Sequence, residues 1–565
     1  MWLLRAREAH GRTAVDARVS GRRGRSAQLA SIAFRDPLLR GKMNNRKLLP
    51  ALPVATGLVA ALLTGCDVST DSTSSHLVVG MSDSVLSVDP ASGYDPGSWV
   101  VFNNVFQSLL SFPRGSTEPQ PEAAQECSFI DEDTKVYKCI LKDGLKFSNG
   151  DPLEADDVKF TFDRMRRIND PNGPSVMFQA LKRVETPDRK TVVFRLKSPD
   201  ATFPSKIASG AGSIVGRRQY DPGSLRRDSR AIGSGPYKLD SFDNREAVFS
   251  VNENYKGTAK INNKGIVLRF FNGDQVAFKR ALLRGDVDVA YRGLQAPDIA
   301  DIDLHGKKQG LDVVEGTGVE VQHLVFNLKD PVVGHLAVRK AIAYLLDRDD
   351  LIKSVYHDTA VPLYSTIPTG IVGHSSAFFD LYGSTPSKKA AAEALANAGF
   401  LEKVRLTLWS TPTRYGASTD AELASIAQQL NASGLFQADV KSVKFEQYEK
   451  DILADKYGVY VKAWVPDYPD ADNFTAPFFG PGNVLNNNYQ NSTIIAKIIP
   501  ATAAERNRRE TEDQYRRLQT IVAEDLPVLP VWQSKQYVVV KEAVRGYEYC
   551  LDASTVFRFW ELYNA

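Results

Sequence analysis

The chain is 565 residues long, 43% hydrophobic and 24% charged, a globular balance far from disordered or fibrous extremes. At about 100–200 residues per domain, its length predicts about three structural units and a core that needs no disulfide or metal staples. The formal net charge is +3, but residues 1–65 supply +9 (ten Arg and two Lys against Glu8, Asp16 and Asp36); the −6 left for the rest argues against a nucleic-acid-binding surface.

Residues 1–42 are Arg-rich and hold no continuous apolar segment. Met43 starts a different pattern. Arg46 and Lys47 form a short positive region, Leu48 to Leu62 is an apolar run broken by Pro50, Pro53 and Gly57, and Leu63-Thr64-Gly65-Cys66 follows at once. That run is short for a bilayer span and fits the apolar core of a signal peptide. The expectation is therefore a translation start at Met43, with 1–42 a mis-assigned or unstructured extension; a peptide from 1–42 detected in the native protein would overturn it. The tetrapeptide resembles the lipobox of bacterial lipoproteins. The resemblance implies cleavage of 43–65, diacylglycerol on the Cys66 thiol, and a mature chain anchored to the extracytoplasmic face of the cell membrane by two or more acyl chains. The Ser/Thr/Asp-rich stretch after Cys66 reads as a solvated tether over 66–76.

Beyond the tether the pattern predicts a strand at His76–Met81, a loop at Ser87–Pro90 and a helix over Trp99–Leu110. A Pro-rich crossing over 112–124 marks a boundary. Strands follow at Thr134–Lys142 and Thr191–Leu196, around an amphipathic helix Glu154–Arg167 that opens acidic and closes basic, in line with the helix dipole. Gly233–Tyr237 turns into a strand pair ending near Val251. Next come a strand Ile266–Phe271, a helix Asp274–Arg284, and strands Asp286–Ala290 and Val319–Leu328. A long helix is expected over His335–Tyr356. Ala-rich helices at Lys388–Ala398 and Thr419–Ala432 flank a strand Val404–Trp409; a strand Tyr457–Trp464, a helix Arg506–Asp525 and apolar strand material over Leu529–Val540 complete the chain. Alternating strands and helices give an α/β class without internal repeats. Cys127 and Cys139 flank the turn IDEDTK and pair as a hairpin disulfide in an oxidising exterior, or stay as two buried thiols; Cys550 is left over.

Seven segments then fall in a recognisable order: KVYKCILKDGLKFSNGDPLEADDVKFTFDR (135–164), AIGSGPYKL (231–239), VNENYKG (251–257), LLRGDVDVA (282–290), LAVRKAIAYLLDR (336–348), KKAAAEALANAGF (388–400) and WVPDYPDADNF (464–474). Together they resemble extracellular solute-binding protein family 5, which serves peptide and nickel uptake. The resemblance implies a two-lobed clamp of the type II periplasmic-binding-protein kind with an extra subdomain. Lobe I would comprise 77–112, the subdomain 113–225, 226–319 and 531–565, and lobe II 320–530. It also implies a monomer that gives its solute to the permease subunits of an ABC transporter.

Asp467 is the first candidate site residue: the family resemblance places it where a carboxylate meets the α-ammonium of a bound peptide, and a desolvated ammonium needs an opposite charge close by. The competing reading is a turn in which Asp467 caps backbone amides, the role expected of Asp470 and Asp472. Trp464 and Trp409 are candidates for aromatic pocket walls, against ordinary core packing. Arg414 suits bidentate capture of a ligand carboxylate, against a plain surface arginine. Tyr94, Ser98 and Asn103 fall where the family's first loop meets the cleft. Dipeptides and oligopeptides are the expected ligands; chelated nickel, oligosaccharides or a peptide-sensing role are the alternatives within the fold. No GxSxG, HExxH, P-loop or dinucleotide fingerprint supports an enzyme, and no cofactor or metal is expected, though a secreted hydrolase is the alternative outside the binding class.

Overall fold

The computed structural model describes residues 76–415 and 418–565. The expected signal peptide, Cys66 and nearly all of the tether lie outside them. His76–Ala565 forms one compact unit.

Its backbone is an eleven-stranded mixed sheet. Ten strands run in the order Phe436–Ser442, Val404–Ser410, Val459–Trp464, Leu311–Phe326, Val528–Lys541, Val289–Tyr291, Leu77–Met81, Gly265–Phe270, Glu246–Val251 and Tyr237–Phe242, and Ala360–Pro362 adds to Val528–Lys541. The two central strands are the long ones, at 16 and 14 residues. They pair antiparallel in two stretches: Leu311–Thr317 faces Lys535–Lys541, and Val321–Val325 faces Val528–Gln533. Between them the register slips over Gly318–Glu320. A bulge of this kind bends and twists a sheet, so one ladder serves two bodies. The N-terminal part, in which Leu77–Met81 pairs parallel with both neighbours and the other pairings are antiparallel, carries a core of Val79, Phe102, Tyr237, Phe249, Phe559 and their neighbours. The other part carries a larger core around Phe326, Ile342, Leu408, Tyr460 and Leu518. These are lobes I and II. Close approach at the bend depends on Gly318, where a Cβ would stand 2.3 Å from the Ser534 carbonyl oxygen.

A separate four-stranded antiparallel sheet, ordered Ala124–Phe129, Val136–Leu141, Thr191–Leu196 and Leu181–Glu185, forms the subdomain. The helix Ala155–Ile168 contributes Val158, Phe162 and Met165 to its core of edge-to-face aromatic rings. Cys127 and Cys139 face each other across the first two strands and are joined by a disulfide. Cys550 is buried in lobe I as a free thiol, and burial pushes it up to about 12.

The helices depart from expectation where local chemistry interrupts the apolar period. The first helix runs Pro96–Val105 rather than from Trp99, because Asp95 caps it and Pro96 opens it. The expected helix His335–Tyr356 stops at Leu345. Leu346 is extended, and Asp347 starts a new turn by accepting from the Asp350 amide at 3.0 Å. No helix among the described residues is long and apolar enough to cross a membrane.

Candidate functional site

A cavity of about 520 Å³ lies between the lobes, a size that suits a small ligand. Lobe I builds its side from the loop and helix after the first strand. Asp95 accepts from the Ser98 amide at 2.8 Å, and Gly97 is pressed so close to Ser84 that a Cβ would sit 2.2 Å from its carbonyl oxygen. This tight turn presents Tyr94, Trp99 and Asn103 to the cavity. Trp99 is fixed from behind by its indole N–H, which donates to the Gly93 carbonyl at 3.0 Å.

Lobe II supplies the facing wall. The strand Val459–Trp464 ends in Val465-Pro466-Asp467, and Asn473 ties that end down. Its side-chain oxygen accepts from the Trp464 indole N–H at 3.0 Å and from the Asp467 amide at 2.9 Å, while its amide group donates to Asp467 Oδ2 at 3.3 Å. Across the cleft, Tyr94 donates its hydroxyl proton to the same Oδ2 at 2.7 Å. Burial raises the Asp467 carboxyl above the usual range, opposed by the hydrogen bonds from Tyr94 and Asn473, and burial beside Asp467 lifts the Tyr94 phenol well above its ordinary value. Among the described residues, Asp467 Oδ1 accepts no hydrogen bond and no cation forms an ion pair with this carboxylate, which feels Lys206 only at longer range. The site therefore presents a desolvated carboxyl oxygen to the cavity.

The remaining charges are mostly spoken for. Lys462 meets Glu449 at 2.5 Å, with burial pulling the ammonium down, and Arg292 donates to Asp83 at 2.6 Å, which holds the guanidinium firmly charged. Arg414, on the short helix Pro412–Tyr415, lines the cavity with its guanidinium 5.9 Å from the ring centres of Tyr415 and Phe445. His323 lies in the wall, 1% exposed, with neither ring nitrogen hydrogen-bonded and its ring edge-on to Phe478. Burial pushes it down to about 3, so it is a neutral imidazole at physiological pH.

The cavity thus brings together Asp467, Trp464, Arg414, Tyr94 and Asn103. Two expected contacts are corrected. Ser98 is fully buried, and its hydroxyl accepts from the Leu86 and Ser87 amides at 3.1 Å, so it holds the loop rather than a ligand. Trp409 is not on the lining; it stacks on Tyr457 with ring centres 4.0 Å apart, and Lys441 lies over the ring at 5.6 Å. Asp470 and Asp472 serve the turn: Asp470 accepts from the Asp472 amide at 2.8 Å and pairs with Arg508. Glu320, His323, Arg292, Phe478 and Tyr415 were not anticipated. The first two sit on the long central strand, whose approach to the loop after Trp464 is set by pairing between distant segments. Among the described residues, no three His, Cys, Asp or Glu side chains form a group able to hold a metal.

Two lobes joined by a bent ladder, with a partly polar cavity between them, define a solute-binding clamp. The profile of bacterial extracellular solute-binding proteins, family 5 middle, matches residues 118–486, and the chain belongs to this family. It is 25% identical over 492 residues to the dipeptide-binding protein of Escherichia coli K12, covering 80% of this chain and 87% of that one. It is 26% identical over 473 residues to the heme-binding protein A of Haemophilus influenzae, covering 78% and 84%. Among solved structures, the periplasmic binding protein DppA of Helicobacter pylori in complex with the peptide STSA superposes with a TM-score of 0.72 at 22% identity, covering 87% and 98%. The CtaP substrate-binding protein of Listeria monocytogenes gives 0.74 at 20% identity, covering 87% and 99%.

Proposed function

We propose that this protein captures short peptides between its lobes, outside the membrane, and delivers them to the permease subunits of an ABC importer. The observation that carries the reading is Asp467: a desolvated carboxylate in the interlobe cavity, held by Tyr94 and Asn473 and in ion-pair contact with no cation among the described residues. A ligand α-ammonium supplies the missing charge and hydrogen-bond donors. Arg414 stands on the same cavity as a partner for the ligand carboxylate, Trp464 and Trp99 offer ring surface to side chains, and Asn103 offers an amide. The relatives named for dipeptides and for a bound peptide support the same ligand class. The chain acts as a monomer, tethered through a lipid on Cys66 to the extracytoplasmic face of the cell membrane, so that a released receptor is not lost by diffusion.

Calorimetry with short peptides tests the reading. Asp467→Ala should weaken binding by about two orders of magnitude, as expected for removing one partner of a buried charge pair, while the ligand-free protein melts at or above the wild-type temperature. Unchanged affinity would refute the role of Asp467. Native mass spectrometry of the purified protein gives an independent check, since a co-purified ligand of sugar or metal-chelate mass would replace peptides as the substrate class.

A further inference from the structure

A second cavity, of about 330 Å³, adjoins the first at the bend between the lobes and shares Asp83, Tyr291, Arg292, Glu320 and Tyr415 with it. Two carboxylates and two cations line this compartment. Arg292 is taken by Asp83 at 2.6 Å, and Lys535 by Glu315 at 3.1 Å. Glu320 makes no hydrogen bond and no ion pair among the described residues. It feels Arg292 and Arg414 only at longer range, and burial raises its carboxyl above the usual range. The other walls include Tyr356 and Trp532, whose polar tips both donate to the buried Glu422 behind them, so they offer ring surface to the compartment. The main cavity shows the same imbalance. Once Asp83–Arg292 and Glu449–Lys462 are set aside as internal pairs, Asp95, Asp467 and Glu320 face Arg414 alone among the described residues. A zwitterionic peptide with neutral side chains leaves that excess of negative charge in place, whereas one cationic side chain reduces it.

We propose that the Glu320 compartment is a subsite for a cationic side chain of the captured ligand, so that the protein prefers peptides carrying arginine or lysine. Glu320 supplies the opposite charge, and the aromatic rings pack against the alkyl stem and the face of the cation. This inference deepens the peptide reading above and rests on it.

Calorimetry on the purified protein with trialanine, with tripeptides carrying arginine at each position in turn, and with their citrulline counterparts separates the two claims. Citrulline keeps the shape of arginine and removes the charge. The wild-type protein should bind one arginine peptide at least tenfold more tightly than its citrulline twin, and Glu320→Gln should bring that ratio towards one. A ratio near one in the wild type overturns the subsite without recourse to any variant, and so does a ratio that survives in a folded Glu320→Gln protein. Trialanine binding without an arginine preference would sink the subsite alone; no binding of any tripeptide would sink the peptide reading along with it.

Discussion

Asp95 illustrates how a single residue serves structure and site at some cost. Its Oδ1 caps the first helix, while Oδ2 is buried without a partner at the cavity wall. Burial, more than Asp83 nearby, raises its carboxyl from 3.8 to about 6. A carboxyl whose folded value lies above its unfolded value is more readily protonated in the folded state. Its favourable contribution is complete below about pH 4 and is lost as pH rises through about 6. Asp95→Asn keeps an N-capping side chain and removes the charge. The variant should therefore gain stability over wild type across that window, reaching about 1–2 kcal/mol at pH 7 once partial exposure is allowed for, with no gain below pH 4. Urea denaturation at pH 3.5, 5 and 7 checks this; a difference that does not change with pH would refute it. Asp467 obeys the same chemistry with a different outcome. Its raised carboxyl must be ionised to hold an ammonium, so peptide affinity should fall as pH drops through its raised value.

At the scale of elements, the bend between the lobes rests on the two central strands. Adding a Cβ at Gly318 pushes against backbone, the Ser534 carbonyl oxygen, rather than against a side chain that can swing away. Gly318 also accepts from the Gln533 side chain at 2.7 Å, so displacement of either strand breaks a buried hydrogen bond. Gly318→Ala should cost about 1–3 kcal/mol by overpacking and lower the melting temperature by several degrees, with no loss of any side chain that lines the cavity; an unchanged melt would show that the strands yield freely. This region was only half legible in the sequence. Val319–Leu328 reads as a strand because its apolar residues are dense, whereas Leu311–Gly318, with Asp312, Glu315 and two glycines, shows no strand pattern, although the observed strand runs Leu311–Phe326. Asp467 could be found because it lies in a local motif. Tyr94 could be placed only near the cleft, and its bond to Asp467 spans 373 residues. Glu320 and His323 carry no local signal at all, since strand pairing and the register slip decide which side chains reach the cavity. Trp409 misled for the same reason: its strand was recognised, but the face it presents was not.

On the scale of the whole molecule, the lobes meet through contacts that take no part in holding a ligand. Tyr468, next to Asp467 in lobe II, is buried in the subdomain core, with Lys206 5.9 Å over its ring. Farther along the rim, the Ala201 amide donates to the Ala503 carbonyl at 2.8 Å, and the Thr134 hydroxyl donates to the Ala504 carbonyl at 2.9 Å. These contacts form only when the lobes stand together, so they bias the clamp towards closure before any ligand contributes. Burying a tyrosine ring is worth about 2 kcal/mol, comparable to the few kcal/mol that separate open and closed states in such equilibria. Tyr468→Ala should therefore widen the ligand-free protein in small-angle scattering and weaken peptide binding by about tenfold, because binding must then supply the lost closure energy. Thr134→Val removes two interlobe hydrogen bonds, the one its hydroxyl donates to the Ala504 carbonyl and the one it accepts from Arg506 Nε at 3.1 Å, each worth about 1 kcal/mol, and should shift both quantities in the same direction. If Tyr468→Ala weakens binding while Thr134→Val changes neither affinity nor radius of gyration, the loss belongs to local distortion of the Asp467 turn, and closure is not set by the rim.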